Sequence, residues 1–334
     1  MPVTLCVGTS AHGAWFSNDL GETFERPTSK AGLYLESAIF SIAKHKARPN
    51  MMLAGTDRGI YRWDFAEKHW FHEPSPMDAG GYSIWTLLRA DHDPKIMLAG
   101  TRPAEFYRSD DEGKSWRLML TPIEPDGDND TRASRGYSDG KLMRVTSMMF
   151  DPADKKTIWA GIEIDAVHRS NDDGKTWTRL SDGLVSDDIH DLCIVDHNGA
   201  RKVFATTNKG LHRSDDNGAT WRFTPLDSAW QYTRRITPRA DNSGVIFLTN
   251  GNGPPGDSGR LWRSRDWGES WEDVPLPGTL NSTTWCVATD PSDPMLIFAC
   301  SNLGQLFRSR DGGETWDRLK RELGDVRSMC WMPW

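Results

Sequence analysis

The sequence lacks the features that mark membrane and nucleic-acid-binding proteins. No apolar run approaches the roughly 20 residues that a helix needs to cross a bilayer, which argues against an integral membrane protein. No basic stripe is present either, since 40 Lys and Arg face 47 Asp and Glu and give a formal charge of -7. Nucleic-acid binders usually carry such a stripe. We therefore predict neither a membrane nor a nucleic acid as a partner.

Cysteine is also scarce, with five residues in 334. They share no Cys-x-x-Cys or metal-ligand spacing, and all stand in apolar, strand-like runs: Cys6, Cys193, Cys286, Cys300 and Cys330. This favours buried, reduced thiols, and we predict no metal and no cofactor. The first residues run directly into a strand-like segment without a charged, apolar leader, so we expect a cytoplasmic protein.

What the sequence has is internal repetition. The pattern Ser-x-Asp-x-Gly-x-Ser/Thr-Trp/Phe occurs six times, and its aspartates are Asp19, Asp111, Asp172, Asp216, Asp266 and Asp311. A damaged seventh copy keeps Asp64 but has Ala66 in place of the glycine. The period of about 45 residues matches one four-stranded blade of a β-propeller. Seven copies therefore predict seven blades.

Each copy of the motif has a physical reason to form a turn between two strands. The aspartate can accept backbone N–H bonds within its own turn, and the glycine tolerates a positive φ. The motif resembles that of the Asp-box, or BNR, propellers, which include sialidases, xyloglucanase modules, sortilin-type receptors and photosystem II assembly factors. The resemblance covers the whole chain, and it specifies the fold more strongly than the function.

The chain begins in the second strand of a blade and ends, over residues 325–331, in a segment with the character of an inner strand. We therefore predict an all-β fold: a seven-bladed β-propeller of four-stranded antiparallel blades, closed by pairing the C-terminal inner strand with the N-terminal blade. Residues 1–334 are expected to form one domain. Residues 121–141 and 251–259 are expected to be inserted loops.

Function is expected where the repeats differ, because shared positions serve the fold. Aligned inner strands place seven unlike residues at one equivalent position: Ile39, Trp85, Thr146, His190, Arg234, Trp285 and Arg327. Two residues earlier stands a polar column: Ser37, Ser83, Arg144, Asp188, Tyr232, Thr283 and Asp325. Arginine forks suit carboxylates and indole faces suit rings. We predict a site at the channel mouth for a small polar or anionic molecule, with a carbohydrate as one candidate. Its predicted ligand-binding residues are Trp85, Arg144, Arg234, Trp285 and Arg327.

Two classes of function remain open. A binding or scaffold propeller would hold the small molecule, or a protein partner, at this face. An enzyme would use His190, Tyr232 and Asp188 as catalytic groups, in glycoside hydrolase-like or lyase-type chemistry on a sugar or carboxylate. A glycosidase needs two carboxyl groups across a cleft, and five acidic residues could reach the mouth: Glu36, Glu105, Glu163, Asp165 and Asp188. Alternatively, the unlike residues only form inter-blade salt bridges.

The resemblance to sialidases would imply a carboxylate-gripping arginine triad and a tyrosine nucleophile. Arg144, Arg234 and Arg327 could supply the triad, and Tyr232 the hydroxyl. The Arg-Ile-Pro signature of those enzymes is missing from this sequence, however, and seven blades are counted instead of six. These departures argue against classical sialidase activity.

Overall fold

A computed structural model describes residues 3–44, 48, 50–120 and 143–333 of the chain. Its strands form seven antiparallel sheets. The first strand of each sheet contacts the first strand of the next, and this cycle closes on itself. The fold is therefore the expected all-β, seven-bladed propeller, with the first strands around a central channel.

Six blades contain four strands in consecutive order, as predicted. The strands of the N-terminal half are β1 (Val3–Thr9), β2 (Ala14–Ser17), β3 (Ile39–Lys44), β4 (Met51–Thr56), β5 (Gly59–Asp64), β6 (His69–Glu73), β7 (Ser83–Arg89), β8 (Met97–Arg102), β9 (Phe106–Ser109), β10 (Arg117–Leu120), β11 (Val145–Phe150), β12 (Ile158–Ile162), β13 (Ala166–Ser170) and β14 (Thr178–Leu180). A 3-10 turn (Ser29–Ala31) and a short helix α1 (Pro76–Ala79) lie in the connections.

The remaining strands complete three blades and close the ring. They are β15 (Ile189–His197), β16 (Ala200–Thr207), β17 (Gly210–Ser214), β18 (Arg222–Thr224), β19 (Tyr232–Pro238), β20 (Ile246–Gly251), β21 (Gly259–Ser264), β22 (Glu272–Val274), β23 (Thr284–Ala288), β24 (Ile297–Ser301), β25 (Leu306–Ser309), β26 (Asp317–Arg318) and β27 (Val326–Pro333).

Ring closure follows the prediction. β27 pairs with β1 from Val3 opposite Pro333 to Thr9 opposite Val326. Trp331 and Leu5 face each other in this pair, and neither is exposed to solvent. This terminal blade has three strands in the described part of the chain, and an isolated bridge between Phe16 and Glu25 occupies the place of the fourth. The C-terminal strand thus completes the N-terminal blade.

Hydrophobic clusters lie between neighbouring blades. One cluster joins Trp159 and Val167 of one blade to Leu192 and Val203 of the next. Because blades pack on both of their faces, the centres of the second strands are buried and mainly apolar, and every residue of β12 is buried. Burial on both faces explains the continuous apolar runs that the sequence shows at these strands.

The repeated motif forms the turn between the third and fourth strands. Asp172 Oδ1 accepts the N–H groups of Thr176 at 2.9 Å and Lys175 at 3.1 Å, while Gly174 adopts a φ of 80°. These hydrogen bonds, led by that of the Thr176 backbone, lower the pKa of Asp172 to about 2. Asp64, in the damaged copy, still accepts the N–H groups of Ala66 and Glu67. The aspartates are therefore structural residues of the turns.

Strand direction divides the propeller into two ends. The inner strands begin at the channel mouth, whereas the motif turns follow the third strands and so lie at the opposite end. Residues 252–258 connect β20 to β21 at the mouth, while Gly251 and Gly259 at the ends of the predicted loop are paired strand residues, and Thr283 donates to the carbonyl of Gly253 there. The other predicted loop, 121–141, lies outside the described residues. In the described ranges, no helix has the length and apolar character needed to span a bilayer.

Candidate functional site at the channel mouth

A β-bulge interrupts each of the seven inner strands at an equivalent point. In β15, for example, Ile189 pairs with Thr207 and Asp191 with Thr206, which leaves His190 without a position in the ladder. The extra residues of the seven bulges are Phe40, Trp85, Thr146, His190, Arg234, Trp285 and Arg327. We call these residues the bulge ring. A bulge re-aims the side chain that it carries, so the fold itself sets these seven residues apart.

Six of the seven positions aligned from the sequence belong to the bulge ring. The seventh was wrong by one residue: Ile39 pairs in register with Thr56 and is fully buried, and Phe40 is the bulge residue. The ring of Phe40 stacks on Trp85 with 4.2 Å between centroids. The neighbouring blades of β3 and β7 therefore both place an aromatic side chain on one side of the mouth.

The two tryptophans support arginines. The Arg144 guanidinium lies over Trp85 at 4.2 Å from the ring centroid, on an indole that already stacks on Phe40. Trp285 is 2% exposed and lies beneath Arg234 at 4.5 Å and Arg327 at 5.6 Å. Cation–π contacts of this kind hold a guanidinium in a fixed place. The indole faces that could stack on a sugar are thus covered by cations.

Arg234 is a buried cation without an acidic partner. Its side chain is 6% exposed, and it forms no ion pair or side-chain hydrogen bond with any residue of the described ranges; its buried Nε is among the unsatisfied donors. Burial lowers the pKa of Arg234 to about 10, and Arg235, Arg144 and Arg327 contribute in the same direction. A buried charge normally requires a paired, hydrogen-bonded partner.

The other two arginines of the mouth each have one acid. Arg144 pairs with Glu163, and Arg327 donates to Asp325 Oδ2 at 2.8 Å. Asp325 also accepts a hydrogen bond from Asn302 at 3.1 Å, which fixes it to the neighbouring blade. All three arginines proposed from the sequence are therefore at the mouth. Within the described residues Arg234 is the one of the three without an ion pair, although its charge opposes the burial that raises the pKa of Glu163.

The three candidate catalytic residues lie together. His190 is 4% exposed, its Nδ1 is 2.6 Å from the carbonyl of Thr233, and its ring centroid is 4.8 Å from that of Tyr232. Since a carbonyl only accepts, Nδ1 carries the proton, and Nε2 is left 3.7 Å from Asp188 Oδ1. Burial, followed by Arg234, holds the pKa of His190 well below its usual value. His190 is therefore neutral near pH 7.

The sequence alone did not distinguish Glu163 from the other acids that could reach the mouth. It follows β12, whose end is antiparallel to the start of β11 and so reaches the mouth. It is 7% exposed, and burial raises its pKa in spite of Arg144, with Asp188 adding to the increase. Asp165 is engaged by His168 and Arg179, Glu105 by Tyr107, and Glu36 is exposed. The arginine cluster thus has two acids beside Asp325: Glu163 and Asp188.

His212 of β17 is a packing residue. His212 is fully buried, and its Nε2 accepts the N–H of Val185 at 3.0 Å. Burial lowers the pKa of His212 to about 4. Across the described ranges, no group of three or more His, Cys, Asp or Glu side chains is arranged to hold a metal ion.

Comparison with known proteins finds relatives among the xyloglucanases and similar folds among solved structures. No family model matches the chain. A curated relative, a xyloglucanase of Paenibacillus sp, is 27% identical over 295 residues, which is 75% of this chain and 27% of the relative. The crystal structure of the GH74 xyloglucanase from Xanthomonas campestris superimposes with a TM-score of 0.63 and 20% identity, over 84% of this chain and 45% of that one.

A third similar protein is of this chain's own size. The structure of YCF48 bound to a D1 peptide has a TM-score of 0.60 and 15% identity, and the match covers 95% of this chain and 88% of that chain. The chain spans only about a quarter to a third of the length of the xyloglucanases that it matches. At these identities the solved structures show the fold alone: a seven-bladed propeller.

Proposed function

We propose that this protein binds a carbohydrate bearing an anionic group at the mouth of its central channel. The observation that carries the proposal is Arg234, a buried guanidinium that forms no ion pair and no side-chain hydrogen bond within the described residues. An anionic ligand supplies the missing charge and accepts charge-assisted hydrogen bonds from the guanidinium, which are roughly twice as strong as neutral ones.

The neighbours of Arg234 support an anion more than a neutral ligand. Arg144 and Arg327 lower the pKa of Arg234, so both add positive potential where its guanidinium lies. Each lies over an indole, Trp85 or Trp285 respectively. Arginines held in this way are pre-organised and lose less conformational entropy when a ligand binds.

The carbohydrate part of the proposal rests on the sequence relatives. The first curated matches are xyloglucanases, at 27% and 22% identity over about three quarters of this chain. Hydroxyl groups of a sugar find acceptors at the mouth in Glu163, Asp188 and the Nε2 of His190, and a donor in the hydroxyl of Tyr232. Such a mixed set suits a polyhydroxylated acid better than a simple inorganic anion.

Calorimetric titration with glucuronate and, separately, with glucose tests the proposal. We expect glucuronate to bind and glucose to bind at least about tenfold more weakly, because one charge-assisted hydrogen bond contributes about 1.5–3 kcal/mol. Arg234→Met should weaken glucuronate binding about 10- to 100-fold by the same reasoning. Arg321→Met is the matched control, because Arg321 is an exposed arginine that lies over Trp15. Equal affinity for the two sugars, or unchanged binding by Arg234→Met, would contradict the proposal.

A second candidate function is glycoside hydrolysis at the same site. Two observations favour it: the xyloglucanase matches, and the carboxyl pair of Glu163 and Asp188, in which burial raises the pKa of Glu163. A protonated Glu163 would donate to the leaving oxygen, with Asp188 as the second carboxylate of a glycosidase pair. Tyr232 and neutral His190 would position the sugar.

Release of reducing ends from xyloglucan and from glucuronide-containing oligosaccharides tests this second function. Glu163→Gln and Asp188→Asn should each reduce turnover by about 100-fold or more, since general acid–base groups contribute on this scale. Glu36→Gln is the control, because Glu36 is an exposed acid. Glucuronate binding without any hydrolysis would leave the binding function and exclude the enzymatic one.

A further inference from the structure

Below the bulge ring, the channel is lined by the next residue of each inner strand. These seven residues form the waist ring: Ser41, Thr86, Ser147, Asp191, Arg235, Cys286 and Ser328. They surround a cavity of about 340 Å³. Most of them are small hydroxyl-bearing residues, and Asp191 pairs with Arg235 at 3.3 Å. Cys286 is the thiol in this ring, and the function proposed above does not use it.

Cys286 has a second thiol directly behind it. Cys286 of β23 pairs in register with Cys300 of β24. Arg235 lines the same cavity as Cys286, and the Cys286 thiol donates to the carbonyl of Arg327 at 3.7 Å. Cys286 is 4% exposed and Cys300 is not exposed at all. Cys286 therefore lines the cavity together with Arg235, and the fully buried Cys300 does not line it.

The pKa values of the two thiols are shifted in opposite directions. The neighbouring Cys300 thiol lowers the pKa of Cys286, and the charges of Arg235 and Arg234 add to this effect against the burial of the thiol. Burial raises the pKa of Cys300 well above its usual value. Since the thiolate is the nucleophile, Cys286 is the attacking member of the pair and Cys300 keeps its proton.

We propose that Cys286 is a site of reversible oxidation by small hydroperoxides, with Cys300 as the resolving thiol. The Cys286 thiolate attacks one oxygen of the hydroperoxide, the O–O bond breaks, and the leaving alkoxide takes up a proton as the alcohol or, from hydrogen peroxide, as water. The product is Cys286 sulfenic acid. The Cys300 sulfur then displaces the hydroxyl group, which leaves as water with the Cys300 proton, and an S–S bond forms.

Strand geometry allows this disulfide with little movement. Residues directly opposite in an antiparallel pair have Cα atoms about 4.5–5.5 Å apart, which falls within the range of about 4.4–6.8 Å found for disulfides. The bulge at Trp285 immediately precedes Cys286 in the strand. Local adjustment is available there, because a bulge already interrupts the ladder.

The remaining cysteines provide internal comparisons. Cys6 and Cys330 also face each other across β1 and β27, but neither lines the channel cavity. Cys193 is buried, pairs in register with Phe204 and not with a second cysteine, and burial raises its pKa. The proposal therefore assigns reactivity to one particular pair among five thiols of the same chain.

Peroxide treatment of the native protein, followed by alkylation and peptide mass spectrometry, tests the assignment. We expect a disulfide between Cys286 and Cys300 to form at least about tenfold faster than oxidation of Cys193, because susceptibility follows thiolate character and access. It should disappear on treatment with dithiothreitol. In Cys300→Ser, a 1,3-dicarbonyl probe should label Cys286 as a trapped sulfenic acid, and Cys193→Ser is the matched control that keeps the disulfide.

Two outcomes would overturn the proposal. One is a native protein in which Cys286 and Cys300 stay reduced while Cys193 or the pair of Cys6 and Cys330 oxidises. The other is a Cys300→Ser protein, folded by circular dichroism, in which the probe labels Cys193 or Cys330 but not Cys286. The measurement on the native protein keeps the test decisive if the Cys300→Ser variant does not fold.

Discussion

Replacing Arg234 by methionine is expected to stabilise the unliganded protein. An arginine in water has a pKa of about 12.5 or higher, whereas burial lowers the pKa of Arg234 to about 10. One pKa unit corresponds to about 1.4 kcal/mol, so keeping the charge at this position costs roughly 3 kcal/mol. Below pH 10 the residue is charged in both the folded and the unfolded chain, and the full cost is present at neutral pH.

Methionine removes the charge and keeps an unbranched, apolar side chain of similar reach. The loss of the contact with Trp285 offsets part of the gain, because a desolvated cation–π pair contributes about 1–2 kcal/mol. The net expectation is a protein more stable by roughly 1–2 kcal/mol, measured as a higher midpoint of urea unfolding at an unchanged slope. The same variant should lose its affinity for glucuronate.

Arg235→Met is the matched comparison, one residue further along β19. Arg235 pairs with Asp191, so its replacement leaves an 8% exposed carboxylate without its cation. We expect a loss of at least about 2 kcal/mol, because removing one partner of a buried pair is destabilising. If Arg234→Met lowers the midpoint as Arg235→Met does, Arg234 has a structural role and the argument for an anionic ligand fails.

Three further variants test the fold. Trp331→Ala should lower the free energy of unfolding by about 3–5 kcal/mol, the range for truncating a buried tryptophan; a loss below about 1 kcal/mol would contradict closure through β27. Asp151→Asn should cost about 2–3 kcal/mol, because the Asp151 carboxylate accepts hydrogen bonds from Arg201 of the next blade at 2.7 and 2.9 Å; the urea midpoint reports this. The pKa values of Asp172 and Asp311 are lowered to about 2, so their stabilising effect is present above about pH 4 and is lost as the pH falls to 2. A double variant with asparagine at these two positions should lose less stability than the native protein over this range, and equal losses would argue against the turn contacts.

The fold could be predicted because each repeated turn is a local structure. The aspartate, the glycine and the following aromatic residue lie within eight positions, so their chemistry is legible without any long-range contact. The damaged copy was recognisable only from its spacing: Ala66 replaces the glycine, and Lys68 takes a left-handed conformation instead, with a φ of 50°. Nothing in the sequence indicated that a single bridge at Phe16 would replace the fourth strand of the terminal blade.

The sequence predicted which kinds of residue line the candidate site, but it predicted their exact positions and contacts less well. A bulge adds one residue to a strand without a signal in the sequence, and this explains why Ile39 was aligned in place of Phe40. Glu163 was one acid among five, and its pairing with Arg144 depends on two strands that meet only in the folded blade. The covered faces of Trp85 and Trp285 likewise depend on side-chain directions. The cytoplasmic location stays a prediction.

The seven bulges also affect how such a channel can change during evolution. A bulge residue has no partner in the ladder, and the waist residue that follows it lines a cavity. Each blade therefore contributes two adjacent side chains to the channel, although some of them also contact the next blade, as Trp285 and Cys286 do in an inter-blade cluster. Substitutions at Thr146 or Ser147 could introduce new chemistry in one blade while the six others keep theirs. The channel can thus acquire a new specificity one blade at a time, at a folding cost set by the inter-blade contacts of the replaced side chain.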